Sequence, residues 1–506
     1  NGYGGDTANG HVVMVALDAD NGAIWFGKQG SWFNTDGSSD SDTVKGQIEG
    51  GTTTNAAYTG VTGRLTPSFV RQTSNNTINV NFGQDASFAG NESFATKTDE
   101  NGIGAFQYNV PSGFLALCSS NLPDTTFSPA QSEQANNYFD VGLYQSTGGA
   151  SDSSAQAPTL NFTDFAFQPD WVIIKGRSYT DWGMTFDSAR GPGKTLQAFR
   201  NYTEGDYANT LTSFDSNGFT LGADSTVQVN WRTNTYVTHS WKAGGPPTAS
   251  NSESAGATPT AGSVKIDGSN LGSALAGSIA ATEITASTTS GFSVVLYTGT
   301  GSAATVAHGL SSAPEFILVM GRNVSNSQMV GITAYNGWTH YIALSNSGYS
   351  VSDSTIWNNT APTSSVFSVG TAANTNQSSK TYVAYCMHSV EGFSKFGTYV
   401  GNNSTDGTFV YTGFRPAFVL VKLVSAGNED FIYWDYKRDP DNLVHNKMYW
   451  NTNNSEITDT TNRMMDFVSN GFKHRTDHVS TNGNGGTYMY MAFAEQPFKF
   501  NNGDRS

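Results

Sequence analysis

The feature that most constrains this 506-residue chain is a set of motifs that occurs three times at nearly fixed spacing. Each copy holds a strand-like run with a Tyr near its end, then a Pro followed by an apolar run, and finally a Thr-Tyr pair. The motifs cover residues 139–144, 169–177 and 235–236 in the first copy, 292–299, 314–322 and 381–382 in the second, and 393–401, 416–422 and 487–488 in the third. Self-similarity at a fixed period is the signature of a repeat architecture. Such a chain is more typical of a scaffold or multivalent binder than of a single-site enzyme.

Length and repeats together predict four domains, because a single core rarely serves more than roughly 250–300 residues. We assign residues 1–118 to a strand-rich first domain, 119–137 to a linker, 138–245 to repeat 1, 246–289 to a Ser/Thr/Ala/Gly-rich linker or small β insertion, 290–391 to repeat 2 and 392–500 to repeat 3. Repeats 2 and 3 abut without a linker. We therefore expect these two to pack as a rigid pair, with repeat 1 apart.

The composition and the apolar runs predict an all-β chain of tandem β-sandwich domains. Charged residues are only 13% of the chain, against about 25% in a typical soluble domain, whereas aromatic residues reach 12%. Within the repeats, apolar runs of four residues at 171–174, 316–319 and 418–421 are too short for helices and favour strands. Asn-Gly pairs at 217–218 and 470–471 predict the same tight turn in repeats 1 and 3.

Net charge and hydropathy limit the kinds of partner that the chain is expected to bind. A net charge of −15 argues against nucleic-acid binding, which needs a basic surface. No apolar stretch approaches the ~20 residues of a membrane span, so no membrane insertion is expected. Cys118 and Cys386 lie in apolar strand-like runs of different domains and are expected to be buried free thiols. The chain begins at Asn1 without Met or a signal-like segment, which indicates a processed protein or a fragment.

Carboxylates that could support catalysis have a simpler interpretation. Glu429, Asp430 and Asp435 are candidates for the acidic pair of a glycosidase, but solvated or strand-edge charges are favoured. We find no nucleophile motif beside any His. The sequence therefore predicts no catalytic residues and no enzyme activity.

Metal ligands are also not expected. Residues 18–22 read Asp-Ala-Asp-Asn-Gly, as a calcium loop could begin, yet the positions that an EF-hand requires further on hold Ala23 and Gln29. A hairpin turn explains this segment without a metal. His474 and His478 are four residues apart on a predicted strand, so surface histidines are favoured over a zinc site. We expect neither a metal nor a cofactor.

Aromatic residues between the framework motifs are the best ligand candidates. Exposed rings stack on sugar faces, and binding residues concentrate on loops carried by a rigid scaffold. The candidates are Trp338, Tyr341, Trp357, Trp434 and Trp450. Filling of the sandwich core is the favoured alternative for them. The framework aromatics Phe139 and Tyr236 are assigned to the core.

The first domain resembles a SPRY-type β-sandwich. Residues 12–33, VVMVALDADNGAIWFGKQGSWF, are similar to the Val-Gly-Val-x-Leu-Asp and Ile-x-Phe-x-x-Asn-Gly run of that family. Residues 65–69 and 80–83 match the strands that follow in the pattern, and 78–82 alternate apolar and polar residues as a strand would. The resemblance implies a concanavalin-like sandwich that is truncated at its start, since SPRY domains normally have strands upstream of this point.

The whole chain resembles bacteriophage proteins in which a SPRY-like domain precedes repeats with Gly-Phe-x-Pro-x-hydrophobic-Val-x-x-Lys and Tyr-Val-Ala motifs. The matching segments are 167–171 with Lys175, 414–418 with Lys422, and 382–384. The resemblance implies a non-enzymatic virion structural protein, a tail-fibre-like adhesin that binds a host-surface receptor or glycan. Capsid decoration and a polysaccharide depolymerase are the alternatives. It also implies a virion location, other virion proteins as partners, and a homo-oligomer, with a trimer favoured.

Overall fold

The computed structural model describes residues 11–62, 78–93, 95–118, 121, 126–127, 133–147, 159–197, 200–224 and 229–495. Helices make up 6% of the structure and strands 36%, which confirms the predicted all-β class. The described helices are α1 (Ser41–Glu49), α2 (Ser354–Trp357), α3 (Ala373–Asn376) and α4 (Val479–Asn482), with 3₁₀ turns at Ala135–Asn137 and Gly337–Thr339. The chain divides into two compact units, Asn1–Pro123 and Asp124–Ser506.

The first unit contains an antiparallel sheet of β1 (Val13–Asp18), β2 (Ala23–Lys28) and β3 (Ser31–Trp32), in that order. The Asp18 carboxylate accepts hydrogen bonds from the backbone N–H groups of Asp20 and Asn21. Gly22 has φ +61°, a left-handed conformation that costs Gly little. The predicted hairpin is confirmed, and Asp18 stabilises its turn.

Only part of the remaining SPRY-like pattern lies within the described residues. Residues 65–69 lie outside the described residues. Residues 78–82 are irregular, so the strand prediction there is wrong. The Asn81 side chain accepts hydrogen bonds from the N–H groups of Gly83 and Asp85. Such local side-chain bonds offer the backbone an alternative to strand pairing.

The second unit holds the three repeats, each with a large sheet and a small one. Repeat 1 forms β4 (Phe139–Gln145), β5 (Leu160–Phe162), β6 (Trp171–Gly176), β7 (Met184–Asp187), β8 (Lys194–Gln197), β9 (Gly205–Asp206), β10 (Leu211–Asp215), β11 (Gly218–Leu221) and β12 (Thr235–Trp241). Its large sheet has the order β4-β12-β6-β7-β8-β9 and its small sheet β10-β11-β5.

Repeat 2 carries the segment 246–289 as additional strands. Its elements are β13 (Val264–Ile266), β14 (Ser269–Asn270), β15 (Glu283–Ser287), β16 (Phe292–Thr298), β17 (Ala304–Ala307), β18 (Phe316–Gly321), β19 (Met329–Ile332), β20 (His340–Ala343), β21 (Val351–Ser352), β22 (Val366–Val369) and β23 (Thr381–Met387). The large sheet has nine strands in the order β14-β13-β15-β16-β23-β18-β19-β20-β21, and the small sheet is β17-β22. The first three strands of that large sheet come from the inserted segment.

Repeat 3 returns to the arrangement of repeat 1. It forms β24 (Ser394–Val400), β25 (Phe409–Tyr411), β26 (Pro416–Leu423), β27 (Ile432–Asp435), β28 (Asn446–Tyr449), β29 (Ile457–Thr458), β30 (Met465–Val468), β31 (Gly471–His474) and β32 (Thr487–Ala494). The large sheet has the order β24-β32-β26-β27-β28-β29 and the small sheet β25-β31-β30.

The central and last strands of the large sheet pair in the same register in all three repeats. In each large sheet the last strand lies between the first strand and the strand after the Pro. The residue pairs at equivalent positions are Trp171 with Trp241, Phe316 with Met387, and Phe418 with Phe493. The apolar runs predicted as strands are therefore confirmed as the same central strand, β6, β18 and β26, in all three copies.

The Tyr residues of the motifs explain their spacing. The Tyr of the first strand stacks on the Tyr of the last strand in every repeat, with ring centroids 4.9 to 5.3 Å apart; the pairs are Tyr144 with Tyr236, Tyr297 with Tyr382, and Tyr399 with Tyr488. Each first-strand hydroxyl donates to a backbone carbonyl before the last strand, as Tyr297 does to Thr375 at 2.6 Å. The motif thus fixes strand pairing and the connection that precedes the last strand.

All three repeats share one core, so the expectation that repeat 1 lies apart is wrong. Trp171 of repeat 1 stacks on Tyr385 of repeat 2 with centroids 4.3 Å apart. Phe139 of repeat 1 stacks on Phe493 of repeat 3 at 4.7 Å. Large aromatic residues, Trp171, Phe316 and Phe418, lie at or near the start of the central strands, and apolar surface of this size is stabilised by burial against neighbouring repeats.

The repeats also contact each other in one cyclic direction. The loop after the central strand of each repeat reaches the loop before β9, β21 or β29 of another repeat. The contacting pairs are Arg322 with Glu204, Arg177 with Glu456, and Val424 with Ser350. We call these the 1–2, 1–3 and 2–3 junctions after the repeats that they join. Because all three use the same pair of surfaces, the repeats form a closed head-to-tail ring with approximate threefold symmetry.

Candidate functional site

The 1–2 junction is held by a buried ion pair. The Arg190 Nε lies 2.5 Å from the Asp187 Oδ2, and both side chains are fully buried. Tyr385 of repeat 2 donates its hydroxyl to the same carboxylate oxygen at 2.7 Å. Nearby, Arg322 binds Glu204 with two hydrogen bonds of 2.9 and 3.0 Å. This paired geometry is the strong form of a charged hydrogen bond.

The 1–3 junction repeats this arrangement with different side chains. Asp435 and Arg438 of repeat 3 form the buried pair at 2.6 Å, and His239 of repeat 1 takes the place of Tyr385, with Nε2 3.3 Å from Asp435. Burial by itself raises the pKa of Asp435, but the Arg438 charge and the His239 hydrogen bond outweigh it and lower the pKa to about 2. Burial lowers the pKa of His239 below its usual value. The Asp435 carboxylate is therefore ionised and the His239 imidazole neutral.

At the 2–3 junction apolar residues stand in place of the buried ion pair. Ile332 stands at the position of Asp187 and Asp435, and Met491 at that of Tyr385 and His239; both are buried. A pocket of about 100 Å³ lies beside them between the two repeats. It is lined mainly by Phe316, Phe396 and Tyr490, with Glu315 at one side. The Glu315 carboxylate already accepts a hydrogen bond from the backbone N–H of Ser389.

Amines and amides at the junctions bind backbone carbonyls of the next repeat. The Lys175 ammonium donates to the carbonyls of Tyr449, at 2.8 Å, and Thr452. Gln328 makes the matching bonds to Gln197 and Arg200 at 3.0 and 3.1 Å. Burial lowers the pKa of Lys175 to about 7. These donors satisfy carbonyls that the junction removes from water.

Two of the three carboxylates considered for catalysis, Asp435 and Asp430, have structural partners. Asp435 binds Arg438, and Asp430 accepts a hydrogen bond from the Asn451 side chain at 2.9 Å. The Glu429 backbone carbonyl accepts from Lys422. For Asp435, the expectation of a solvated or strand-edge charge is wrong, since this side chain is fully buried.

The aromatic ligand candidates are mostly inside the protein. Trp338, Trp357, Trp434 and Trp450 have exposed fractions of 4% or less. The structure therefore agrees with the favoured interpretation, filling of the core, for these four residues and leaves none of them as an exposed ring for a ligand. Tyr341 is partly buried and is the one candidate of the five with substantial exposure. Sequence did not separate the two interpretations because a Trp between framework motifs has the same local pattern in both.

The structure reveals an aromatic surface that no sequence motif indicates. The Arg200 guanidinium lies over the Trp182 ring at 4.8 Å and over the Tyr202 ring at 4.3 Å. Tyr202 is 49% exposed, and Trp182 is half-buried against the common core. Among the described residues no carboxylate lies within ion-pair distance of Arg200. Trp182 and Arg200 are distant in sequence and meet only because β7 and β8 pair, so no local motif indicates the site.

The surface assignment of His474 is wrong, because the ring is buried between Tyr399 and Phe472 and burial lowers its pKa to about 3. In the described ranges, no three His, Cys, Asp or Glu side chains are grouped as a metal site would require. None of the described helices is long and apolar enough to cross a membrane.

Fold and junctions together define an all-β protein whose three internal repeats close into a ring. The chain belongs to the family described as Domain of unknown function (DUF7483), which it matches over residues 134–497. This match covers the three repeats and ends just after β32. No curated protein and no solved structure matches the chain.

Proposed function

We propose that this chain is a non-enzymatic structural protein of a bacteriophage virion that binds a glycan or receptor on the host surface, as a tail-fibre-like adhesin does. The observation that carries the proposal is the surface formed by Trp182, Arg200 and Tyr202. Exposed aromatic rings offer apolar faces to sugars, and the guanidinium offers several donors to hydroxyl or carboxylate oxygens. The virion assignment rests on the resemblance of the motifs to bacteriophage proteins.

The ring of repeats supports binding because it holds this surface rigidly. The loop that carries Arg200 and Tyr202 is fixed by repeat 2, where Gln328 donates to the Arg200 carbonyl and the Arg322 side chain binds Glu204. The Glu204 backbone N–H also donates to the Arg322 carbonyl at 2.7 Å. A side chain that is already ordered loses little entropy when a ligand binds. The junction therefore prepares the surface for its ligand.

The direct test is binding of the purified full chain to purified bacterial surface polysaccharides. Tyr202→Ala and Arg200→Gln should each weaken binding about five- to tenfold, which corresponds to roughly 1 kcal/mol for a lost stacking or cation–π contact. Arg232→Gln is the matched control, since Arg232 also lies over one ring, Trp231, at 4.1 Å in the same repeat. Equal affinity for all variants would remove this surface from the proposal.

Two further experiments address the alternatives. Electron microscopy of particles labelled on this chain places it on the tail or on the capsid, and a capsid position would replace the adhesin with a decoration role. Steady release of reducing ends from a polysaccharide incubated with the chain would replace it with a depolymerase. We expect tail labelling and no release.

A further inference from the structure

The outer strands of the three small sheets, β5, β17 and β25, are equivalent. Their outward side chains and the cover over their free edge differ from repeat to repeat. In each repeat one residue of this strand points inward and pairs with a buried Phe of the neighbouring strand; the pairs are Phe162 with Phe219, Val306 with Phe367, and Val410 with Phe472. The residues on either side of this inward residue point outward. An edge strand also leaves every second backbone N–H and C=O unpaired, which invites another chain to pair with it.

In repeat 2 the inserted segment covers this edge. The N–H groups of Ser278 and Ile279 both donate to the Thr305 carbonyl at 2.9 Å, and the Thr305 N–H donates to the Ser278 hydroxyl at 2.9 Å. Ala307, the other outward residue, is 2% exposed. Gly277 has φ +95°, and a Cβ there would lie 2.8 Å from the Thr305 carbonyl oxygen. The cover is thus a bent, uncharged segment of small and apolar residues, 277–279, which bonds to the edge at Thr305.

In repeat 1 the outward residues are polar. Asn161 and Thr163 flank Phe162, and both are exposed. The Asn161 side chain accepts a hydrogen bond from the Thr220 hydroxyl on the neighbouring strand at 3.2 Å. Polar outward residues are compatible with contact with water.

In repeat 3 the same edge is apolar and has no cover among the described residues. Phe409 and Tyr411 flank Val410 and are 45% and 62% exposed. Thr408 and Thr412 bond to the β31 side, through the His474 N–H and the Asn470 carbonyl. Because pairing alternates along a strand, the backbone groups of Phe409 and Tyr411 point away from the sheet.

The opposite edge of this sheet is closed. The backbone of Val444 pairs with Met465 of β30 through hydrogen bonds of 2.8 and 3.2 Å. Only the β25 edge therefore combines outward aromatic side chains with outward backbone groups in the described part of repeat 3.

We propose that the β25 edge of repeat 3 binds an extended, uncharged segment of small and apolar residues from a different protein, which adds a strand to the small sheet. Repeat 2 shows the chemistry of the occupant, because its own residues 277–279 take the equivalent place. Backbone hydrogen bonds at Phe409 and Tyr411 supply the pairing, and the two rings pack on the side chains of the added strand. The site is on a different repeat from the Arg200 surface and gives the protein a point of attachment to a partner.

The probe is a synthetic peptide of residues 273–282, Ser-Ala-Leu-Ala-Gly-Ser-Ile-Ala-Ala-Thr, added to the full chain. Hydrogen exchange followed by mass spectrometry should show slower exchange of the segment that contains Phe409 and Tyr411 at saturating peptide. The double variant F409N/Y411T, which gives this edge the residues of repeat 1, should bind the peptide about tenfold more weakly because two apolar contacts are lost. Both positions are exposed, so the variant should fold.

Leu443→Asn is the matched control, since Leu443 is 40% exposed near the closed edge of the same sheet. Its peptide affinity should equal that of the unmodified chain. No protection at β25, or equal binding by F409N/Y411T, would overturn the proposal. A solution mass above 53.9 kDa that falls to this value in F409N/Y411T would assign the edge to a second copy and overturn the choice of a different partner.

Discussion

The 1–3 and 2–3 junctions join equivalent surfaces with opposite chemistry. At the 1–3 junction Asp435, Arg438 and His239 form a fully buried polar network. At the 2–3 junction Ile332 and Met491 occupy the matching positions, and an apolar pocket lies beside them. The same arrangement of repeats is therefore compatible with a polar junction and with an apolar one. Charges are not required to form a junction, but where they are present each one depends on its partner.

Breaking the polar network should have the largest effect. Asp435→Ala leaves the buried Arg438 guanidinium with only the longer contact to Glu456, at 3.3 Å, and the loss of one partner of a buried pair costs about 3–5 kcal/mol. Ile332→Val at the equivalent apolar position should cost only about 0.5–1.5 kcal/mol. Urea unfolding of the two variants measures both values. Similar small losses would show that the Asp435 pair contributes little to the 1–3 junction.

Acid should weaken the 1–3 junction and spare the 2–3 junction. The pKa of Asp435 is lowered from 3.8 to about 2 in the folded protein. A depressed carboxyl pKa stabilises the fold above the unfolded value, and this stability is lost as the pH falls from about 3.8 through 2. The contribution is about 2 kcal/mol. The unfolding free energy of the natural chain should therefore fall by about 2 kcal/mol relative to that of the triple variant below over this pH range, and a constant difference between the two would contradict the assignment.

Exchanging the chemistry of one junction for the other should have the smallest effect. The triple variant D435I/R438Y/H239M gives the 1–3 junction the residues of the 2–3 junction. Replacement of a whole buried ion pair by apolar residues of similar volume is often neutral or stabilising, so we expect unfolding free energy within about 1 kcal/mol of the natural chain at pH 7. A loss as large as that of Asp435→Ala would mean that the two junctions are not interchangeable.

The sequence predicted what is local and missed what is distant. Strands such as β6 and β26 followed from short apolar runs after a Pro, and the hairpins of repeats 1 and 3 followed from Asn-Gly turns. The ring could not be predicted in this way, because Lys175 meets carbonyls at Tyr449 and Thr452 across most of the chain. The candidate site was missed for the same reason, since Trp182 and Arg200 come together only in the folded repeat.

Closure of the ring of repeats can be tested at the Arg177–Glu456 pair. The two side chains form hydrogen bonds of 2.8 and 2.9 Å between the first repeat and the last. A double-mutant cycle of Arg177→Ala and Glu456→Ala, measured by urea unfolding, should give a coupling energy of about 1 kcal/mol or more. The Arg322–Glu204 pair, which joins repeats adjacent in sequence, should give a similar value. Strictly additive losses at Arg177 and Glu456, with coupling retained at Arg322 and Glu204, would show that the ring is open.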